Sequence, residues 1–113
     1  PLPPDDYQRS ARGENTQTVR ERTIAARQRM LERQGKENAR LSTAEVEIYC
    51  PAGQEAAVLL RRAVSRLGLS ARGYHRILKL ARTIADLASS SSIEAIHVAE
   101  AIQYRRKDMA VPG

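Results

Sequence analysis

A chain of 113 residues with no Trp, no Phe and only four Tyr holds at most one domain, whose core must be built from Leu, Ile, Val and Ala. Its 19 Lys and Arg residues outnumber its 13 Asp and Glu residues, and the net charge of +6 suits an anionic partner such as nucleic acid, a nucleotide or an acidic protein surface. No apolar segment approaches the ~20 residues that cross a bilayer, and no signal peptide is evident, so we expect a cytoplasmic protein without a membrane partner.

The N-terminal third of the chain predicts an arm followed by a long basic helix. Residues 1–15, PLPPDDYQRSARGEN, combine three prolines with mixed charges, which predicts a flexible linker. A helical pattern begins at Thr16 and ends at Gly35. Its inward stripe is predicted to be Val19, Thr23, Ala26 and Met30, and its other faces carry Arg20, Arg22, Arg27, Arg29 and Arg33.

Two shorter helices are predicted next. The segment GKENARLS reads as a loop, after which Ser42 or Thr43 caps a helix over residues 43–50 that Pro51 and Gly53 terminate. A third helix, over residues 54–67, ends at Gly68, which suits the left-handed backbone that follows many helices. The apolar side of this third helix is predicted to consist of Ala57, Leu60, Val64 and Leu67.

The fourth helix is predicted to carry the main apolar face of the domain, with Ser70 as its cap. At 100° per residue, Arg72, Arg76 and Lys79 fall on the side opposite that face, which leaves them free to meet a partner. The apolar face consists of Tyr74, Ile77, Leu78, Ala81, Ile84, Ala85 and Ala88.

The C-terminal part of the chain completes an all-α pattern. ASSSS is predicted to be a flexible connection, and a last helix over residues 95–105 turns Val98, Ala101 and Ile102 inward before residues 107–113 fray. No strand-like alternation is present. The sequence therefore predicts a single bundle of about five helices over residues 16–106.

The sequence contains few residues that predict a catalytic or metal-binding site. It contains no GxxxxGK[ST], GxGxxG, HExxH or CxxC motif, so we do not expect it to be an enzyme on its own. His75 and His97 lack neighbouring ligand pairs, and we predict no metal site. The lone Cys50 is interpreted as a small buried apolar side chain, and Tyr74 and Tyr104 as packing residues with a hydrated hydroxyl.

Arg72 is the candidate for an anion contact. SARGYHRIL places it in the first turn of a helix, where a guanidinium on a rigid element can bind phosphate with two hydrogen bonds and the helix dipole adds to the attraction. From spacing alone, the pattern favours the alternative that Arg72 is a solvated helix-face residue or pairs with a nearby Glu.

Three segments carry a family resemblance: TVRERTIAARQRMLERQGKENARLS, LGLSARGYHRILKLARTIADLA and IEAIHVAEAIQYRR. They resemble the C-terminal domain of the magnesium-chelatase-like AAA+ ATPases of the bacterial ComM group, from about Thr16 to Arg106. The resemblance implies a helical lid over ATP that is bound, with Mg²⁺, by an upstream AAA+ core of the same polypeptide in a homo-oligomeric ring. The isolated domain would need no cofactor.

The resemblance also implies a role for individual residues. In such lids an arginine at the start of one helix, called sensor 2, contacts the γ-phosphate, and SAR places Arg72 at the matching position. Arg76, one turn further on, is the second candidate for a phosphate contact or for a contact with the core. Arg105 and Arg106 resemble the closing YRR of the family, and we interpret them as residues that complement the helix dipole.

Two other functions remain as alternatives. RRAVSRLGLSARGYHRILKL reads as helix, glycine turn and helix, which is typical of a DNA-binding module, and Arg20, Arg27 and Arg29 of the first helix are candidate nucleic-acid contacts. Against a groove-reading role, the fourth helix is apolar to its end. The resemblance to the ComM group implies DNA handling by the whole motor. A magnesium-insertion subunit of tetrapyrrole synthesis ranks last, since no residue specifies a porphyrin site.

Overall fold

A computed structural model describes residues 15–110 of the chain, and the side chains of residues 15–105. This range forms five α-helices and one short 3-10 helix at Asn38–Arg40, so the predicted all-α bundle is confirmed. The helices are α1 (Thr16–Gln34), α2 (Thr43–Tyr49), α3 (Gln54–Leu67), α4 (Ala71–Leu87) and α5 (Ala95–Ala110). In this range, no helix is both long and apolar enough to cross a membrane.

The ends of the predicted ordered region differ slightly from the expectation. Asn15, which the sequence placed in the arm, is the N-cap of α1 and accepts a hydrogen bond from the Thr18 backbone N–H. Helix α5 continues to Ala110, whereas its end was predicted near residue 105. The rest of the predicted arm, residues 1–14, and the last three residues of the predicted tail, 111–113, lie outside the described residues.

The helix boundaries follow from capping residues that the sequence shows. Ser42, rather than Thr43, caps α2, and its pairing with Glu45 forms a reciprocal capping box. The Ser70 hydroxyl accepts a hydrogen bond from the Gly73 backbone N–H and begins α4. Gly68 adopts φ 61°, a left-handed conformation that an L side chain disfavours, and thereby ends α3.

Helix α4 lies at the centre of the bundle. It packs against α1, α2, α5 and the 3-10 helix, while α3 packs mainly against α5. A backbone bridge between Ala52 and Ile93 joins the segments that precede α3 and α5. The main buried cluster comprises Leu41, Val46, Cys50, Ala56, Leu60, Ile77, Leu78, Ala81, Ile93, Val98 and Ala101. Cys50 is buried as predicted, and burial raises the pKa of its thiol, which keeps the side chain uncharged.

Two predicted apolar stripes are partly wrong. On α3 the buried residues are Ala56, Leu60 and Ala63, because this helix is rotated so that its small residues approach α5, and Leu67 is exposed. On α1 only the second half is covered by α4, so Ala26 and Met30 are buried whereas Val19 and Thr23 are exposed.

Tyr104 was predicted to pack but is 66% exposed. Ala88, at the end of α4, is exposed too.

A buried carboxylate joins three parts of the chain. The side chain of Asp86, in α4, has no exposed surface. Its Oδ1 accepts a hydrogen bond from Arg33 at 3.0 Å and forms an ion pair with Arg82 at 2.9 Å, and its Oδ2 accepts hydrogen bonds from Arg33 and from Asn38, each at 3.0 Å. Arg33, which the sequence placed on an outer face of α1, therefore points inward because a buried carboxylate lies opposite it.

The serine-rich connection after α4 is held by the same cluster. The Arg82 guanidinium donates to the backbone carbonyl of Ser90 at 2.7 Å and to that of Ser91 at 3.2 Å. From α1, Arg29 donates to the Asp86 backbone carbonyl and to the Ser89 hydroxyl. The segment predicted to be a flexible connection is thus fixed by arginine side chains at three of its residues.

We expect Asp86→Asn to destabilise the chain by about 3–5 kcal/mol, because it leaves the buried guanidinium of Arg82 without a counter-charge. Urea unfolding followed by circular dichroism measures this change. The matched control is Glu32→Gln on the exposed surface of α1, which should change the free energy of unfolding by less than about 0.5 kcal/mol. A loss below about 1 kcal/mol for Asp86→Asn would show that the carboxylate is dispensable.

The fold should lose stability in acid through two carboxyl groups. Burial raises the pKa of Asp86, but hydrogen bonds from Arg33 and Asn38 and the charges of Arg82 and Arg33 lower it by more, so the net pKa lies below its usual value. The Lys36 ammonium and the Ser42 backbone N–H lower the pKa of Glu45 to about 2.

Because both pKa values are lowered on folding, their contribution to stability is present above the unfolded pKa values and disappears as pH falls through the folded ones. The contribution of these two groups to the melting temperature should therefore be nearly constant above about pH 5. The melting temperature should fall between about pH 4 and pH 2. Glu45→Gln, which cannot titrate, should show a shallower decline, and an unchanged decline would contradict the assignment of Glu45.

Candidate functional site

An open cleft of about 770 Å³ lies between the start of α4 and the start of α2. One wall is formed by the chain that enters α2, and the other by the first three turns of α4. The lining residues are Leu41, Ser42, Thr43, Ala71, Arg72, His75, Arg76 and Lys79. The cleft thus brings together three cationic side chains and a histidine without a lining carboxylate.

Arg72 stands at the edge of this cleft in the first turn of α4. It is exposed, and its guanidinium makes no hydrogen bond or ion pair with any described residue. Its backbone is held rigidly, because Ser70 caps the helix just before it and Ile77 and Leu78 are buried just after it. No described Glu pairs with Arg72, its exposure fits the alternative of a solvated helix-face residue, and its role toward a phosphate stays a prediction.

The other two cations predicted on this face differ from each other. Arg76 is exposed, is also unpaired among the described residues, and lines the same cleft as Arg72. Lys79 was predicted to be free but is half-buried, and its ammonium donates to the backbone carbonyls of Ala39 at 3.3 Å and Leu41 at 3.2 Å. These two carbonyls lie at the end of the 3-10 helix, where no following helical N–H is available to them. Lys79 therefore links the 3-10 segment to α4.

His75 is a lining residue that the sequence reasoning left without a role. Its Nε2 lies 3.1 Å from a Glu47 carboxylate oxygen, and its ring packs edge-on against Tyr74 at a centroid distance of 5.2 Å. Its Nδ1 is buried and has no hydrogen-bond partner within the described range. The signal that could have identified it is spacing, because residues three apart share one face of a helix and His75 follows Arg72 by three.

The arginines of α1 that were candidate nucleic-acid contacts do not form one open surface. Arg20 is exposed. Arg27 pairs with Glu37 at 3.2 Å, and Arg29 donates to the Ser89 hydroxyl at 3.0 Å. Arg27 thus makes only an exposed surface ion pair and Arg29 is held by the end of α4, and the contact of all three with DNA stays a prediction.

No metal site emerges from the part of the chain whose side chains are described, where no three His, Cys, Asp or Glu residues are grouped to hold an ion. His97 is buried, and its Nδ1 accepts a hydrogen bond from the Glu94 backbone N–H at 2.9 Å. This contact closes the first turn of α5, so His97 has a structural partner of its own.

Known proteins resemble the chain over the whole of this site. Residues 13–105 match the family model described as magnesium chelatase, subunit ChlI C-terminal. The chain belongs to this family. The match covers α1 to α4 and most of α5, so the resemblance read from the three sequence segments is confirmed.

Individual relatives of this magnesium chelatase C-terminal domain are much longer than the chain. Competence protein ComM of Haemophilus influenzae is 47% identical over 94 residues, which are 83% of the chain and 18% of that protein. The uncharacterized protein YifB of Salmonella typhimurium is 43% identical over 110 residues, 96% of the chain and 22% of that protein. Escherichia coli YifB is 42% identical over the same length. The chain therefore spans about a fifth of the relatives it matches.

Packing limits the alternative in which α4 reads a DNA groove. Its exposed residues are Ala71, Arg72 and Arg76 in the first two turns, whereas residues 77–87 are all buried or half-buried under neighbouring elements. A groove-reading helix needs an open face for its base contacts. Only the first two turns of α4 are open to DNA. The helix is therefore better suited to a contact at its N-terminal end than to lying along a groove.

We expect Ser70→Ala to lower the free energy of unfolding by about 0.5–2 kcal/mol, because the variant loses the cap of α4. Arg72→Ala should change it by less than about 0.5 kcal/mol, because the arginine is exposed and unpaired. Thermal unfolding of both variants beside the parent chain tests this difference. A large loss in Arg72→Ala would mean that the side chain supports the fold and is not held open for a ligand.

Proposed function

We propose that this domain is the lid of a magnesium-chelatase-like AAA+ ATPase and that Arg72 is its sensor 2 arginine. The observation that carries the proposal is an unpaired guanidinium, fixed on the first turn of the central helix, at the edge of an open cationic cleft. In this proposal the chain is not an enzyme by itself. ATP and Mg²⁺ are bound by an upstream core of the same polypeptide, in the cytoplasm.

The chemistry of the cleft supports a phosphate as the ligand. Arg72 and Arg76 are both unpaired in the described region, and a guanidinium can bind two phosphate oxygens at once. The two carboxylates of α2 have other partners, since Glu45 pairs with Lys36 and Glu47 with His75. The positive end of the α4 dipole adds to the attraction. These residues fit the terminal phosphates of a nucleotide whose base and metal are held elsewhere.

Two effects follow if Arg72 contacts the γ-phosphate. Its charge stabilises the negative charge that develops on the phosphoryl oxygens during transfer. Because α4 packs against α1 and α5, and the buried Asp86 cluster links it to α1 and to the serine-rich connection, we expect a pull on Arg72 to move these elements together. Loss of the phosphate would then change the angle between lid and core.

Arg76 would make either a second phosphate contact or a contact with an acidic residue of the core. We further propose a homo-oligomeric ring, in which Arg72 reaches ATP of its own subunit or of its neighbour. The relative from Haemophilus influenzae is named a competence protein, which supports the proposal that the full-length motor acts on DNA. The DNA-binding module remains the second candidate for the domain itself.

In the full-length protein, we expect Arg72→Ala to lower kcat for ATP hydrolysis by on the order of 10³ and to weaken ATP binding much less. Arg72→Lys should recover only part of the rate, because an ammonium keeps the charge but cannot form the paired hydrogen bonds of a guanidinium. Steady-state hydrolysis without DNA and equilibrium binding of a labelled ATP analogue separate the two effects.

The matched control for this experiment is Arg61→Ala, since Arg61 is an equally exposed arginine on α3, away from the cleft. It should hydrolyse ATP at the parent rate. Normal hydrolysis by Arg72→Ala would contradict the sensor 2 assignment, and an equal loss in both variants would attribute the effect to net charge.

A further inference from the structure

The outer face of α3 carries an arginine surface, formed by Arg61, Arg62 and Arg66, that the proposed lid function does not use. All three side chains are exposed, and none makes a hydrogen bond or ion pair with a described residue. At 100° per residue they fall within an arc of about 140°, opposite the buried Leu60 and Ala63. The three guanidinium groups therefore face solvent together.

No acidic residue neutralises this surface along its own helix. No Asp or Glu lies three or four residues before or after any of the three arginines, which are the positions where helical ion pairs form. The one acid of α3 is Glu55, in its first turn. Glu100 of the neighbouring α5 lines a different groove, together with Ile84 and His97. Arg66 lies in the last turn of α3, where a cation interacts favourably with the helix dipole. Arg61 and Arg62 lie before that turn, so the dipole does not explain them.

Most other cations of the described region already have internal partners. Arg33 and Arg82 bind Asp86, Arg27 binds Glu37, and Lys36 binds Glu45. The pairs to Asp86 are largely buried, whereas those of Arg27 and Lys36 lie at the surface. The sequence placed the candidate nucleic-acid contacts on α1, whereas the folded chain groups three exposed arginines without described partners on one face of α3.

We propose that the α3 arginine surface binds the phosphodiester backbone of duplex nucleic acid without reading its sequence. Arginine binds phosphate oxygens with paired, charge-assisted hydrogen bonds, and contacts of this kind supply sequence-independent affinity. A surface of one sign fits a uniformly charged backbone better than a protein surface of mixed charge. Helix α3, QEAAVLLRRAVSRL, has no aromatic residue on which unpaired bases could stack, which favours a duplex over a single strand.

This site is separate from the nucleotide contact. Arg72 belongs to α4 and lines the cleft beside α2, and none of the three α3 arginines lines that cleft. The duplex contact can therefore exist whether or not Arg72 acts as a sensor, and each can fail without the other.

The test compares two triple variants of the 113-residue chain that lose the same charge. One is Arg61→Gln/Arg62→Gln/Arg66→Gln, and the control is Lys36→Gln/Arg40→Gln/Arg105→Gln, which removes three cations that lie off α3 and are not candidate phosphate or nucleic-acid contacts. Fluorescence anisotropy with a short labelled DNA duplex, from about 50 to about 200 mM salt, measures affinity. Circular dichroism and thermal unfolding establish that both variants fold.

We expect the α3 variant to bind at least about tenfold more weakly than the parent at the lowest salt, with a slope of log affinity against log salt that is shallower by about 2–3. The control should lose about threefold or less. The proposal fails if both variants weaken equally, if the parent chain does not bind duplex DNA, or if single-stranded DNA of the same length binds more tightly. It fails too if poly-L-glutamate displaces the duplex at equal charge concentration, because the surface would then accept acidic polypeptides.

Discussion

The bundle depends on a carboxylate that has been removed from water. An isolated buried charge is costly, and Asp86 is tolerated because two guanidinium groups and the amide of Asn38 occupy its oxygens. Its partners come from α1, the 3-10 helix and α4 itself. One side chain therefore sets the position of three segments, and their contacts fail together if the carboxylate is lost or protonated.

The consequences of this arrangement reach the candidate site through helix α4. The Asp86 cluster anchors the C-terminal half of α4, while Ile77 and Leu78 anchor its middle in the apolar core. The first turn, which Ser70 caps, then projects Arg72 from a support that cannot bend locally. The backbone that carries this guanidinium therefore needs no ordering when an anion binds, and only the arginine side chain itself loses rotamer freedom.

The excess positive charge of the chain is divided into two populations by folding. One consists of cations with internal partners, such as Arg33, Arg82 and Lys79, and these hold elements together. The other consists of exposed arginines that have no partner among the described residues, which include Arg72 at the cleft and Arg62 on α3. Net charge alone cannot separate the two, because an arginine that stabilises a core and one that meets a ligand contribute equally to it.

Local pattern was enough to predict the helices, the cap at Ser70 and the openness of Arg72, because capping and the apolar periodicity of α4 act within a few residues, but it left Ser42 and Thr43 as alternatives and missed Asn15. Local pattern could not predict contacts between residues that are far apart in the sequence. Arg33 points inward because it binds a carboxylate 53 positions away. Lys79 is not free for a ligand because it donates to the Leu41 carbonyl, which lies beside α4 only in the folded chain. The sequence by itself determined which residues form helices and which helix carries the candidate arginine. Only the tertiary structure decided which cations are buried, paired or open, since a side chain finds its partner by proximity in space.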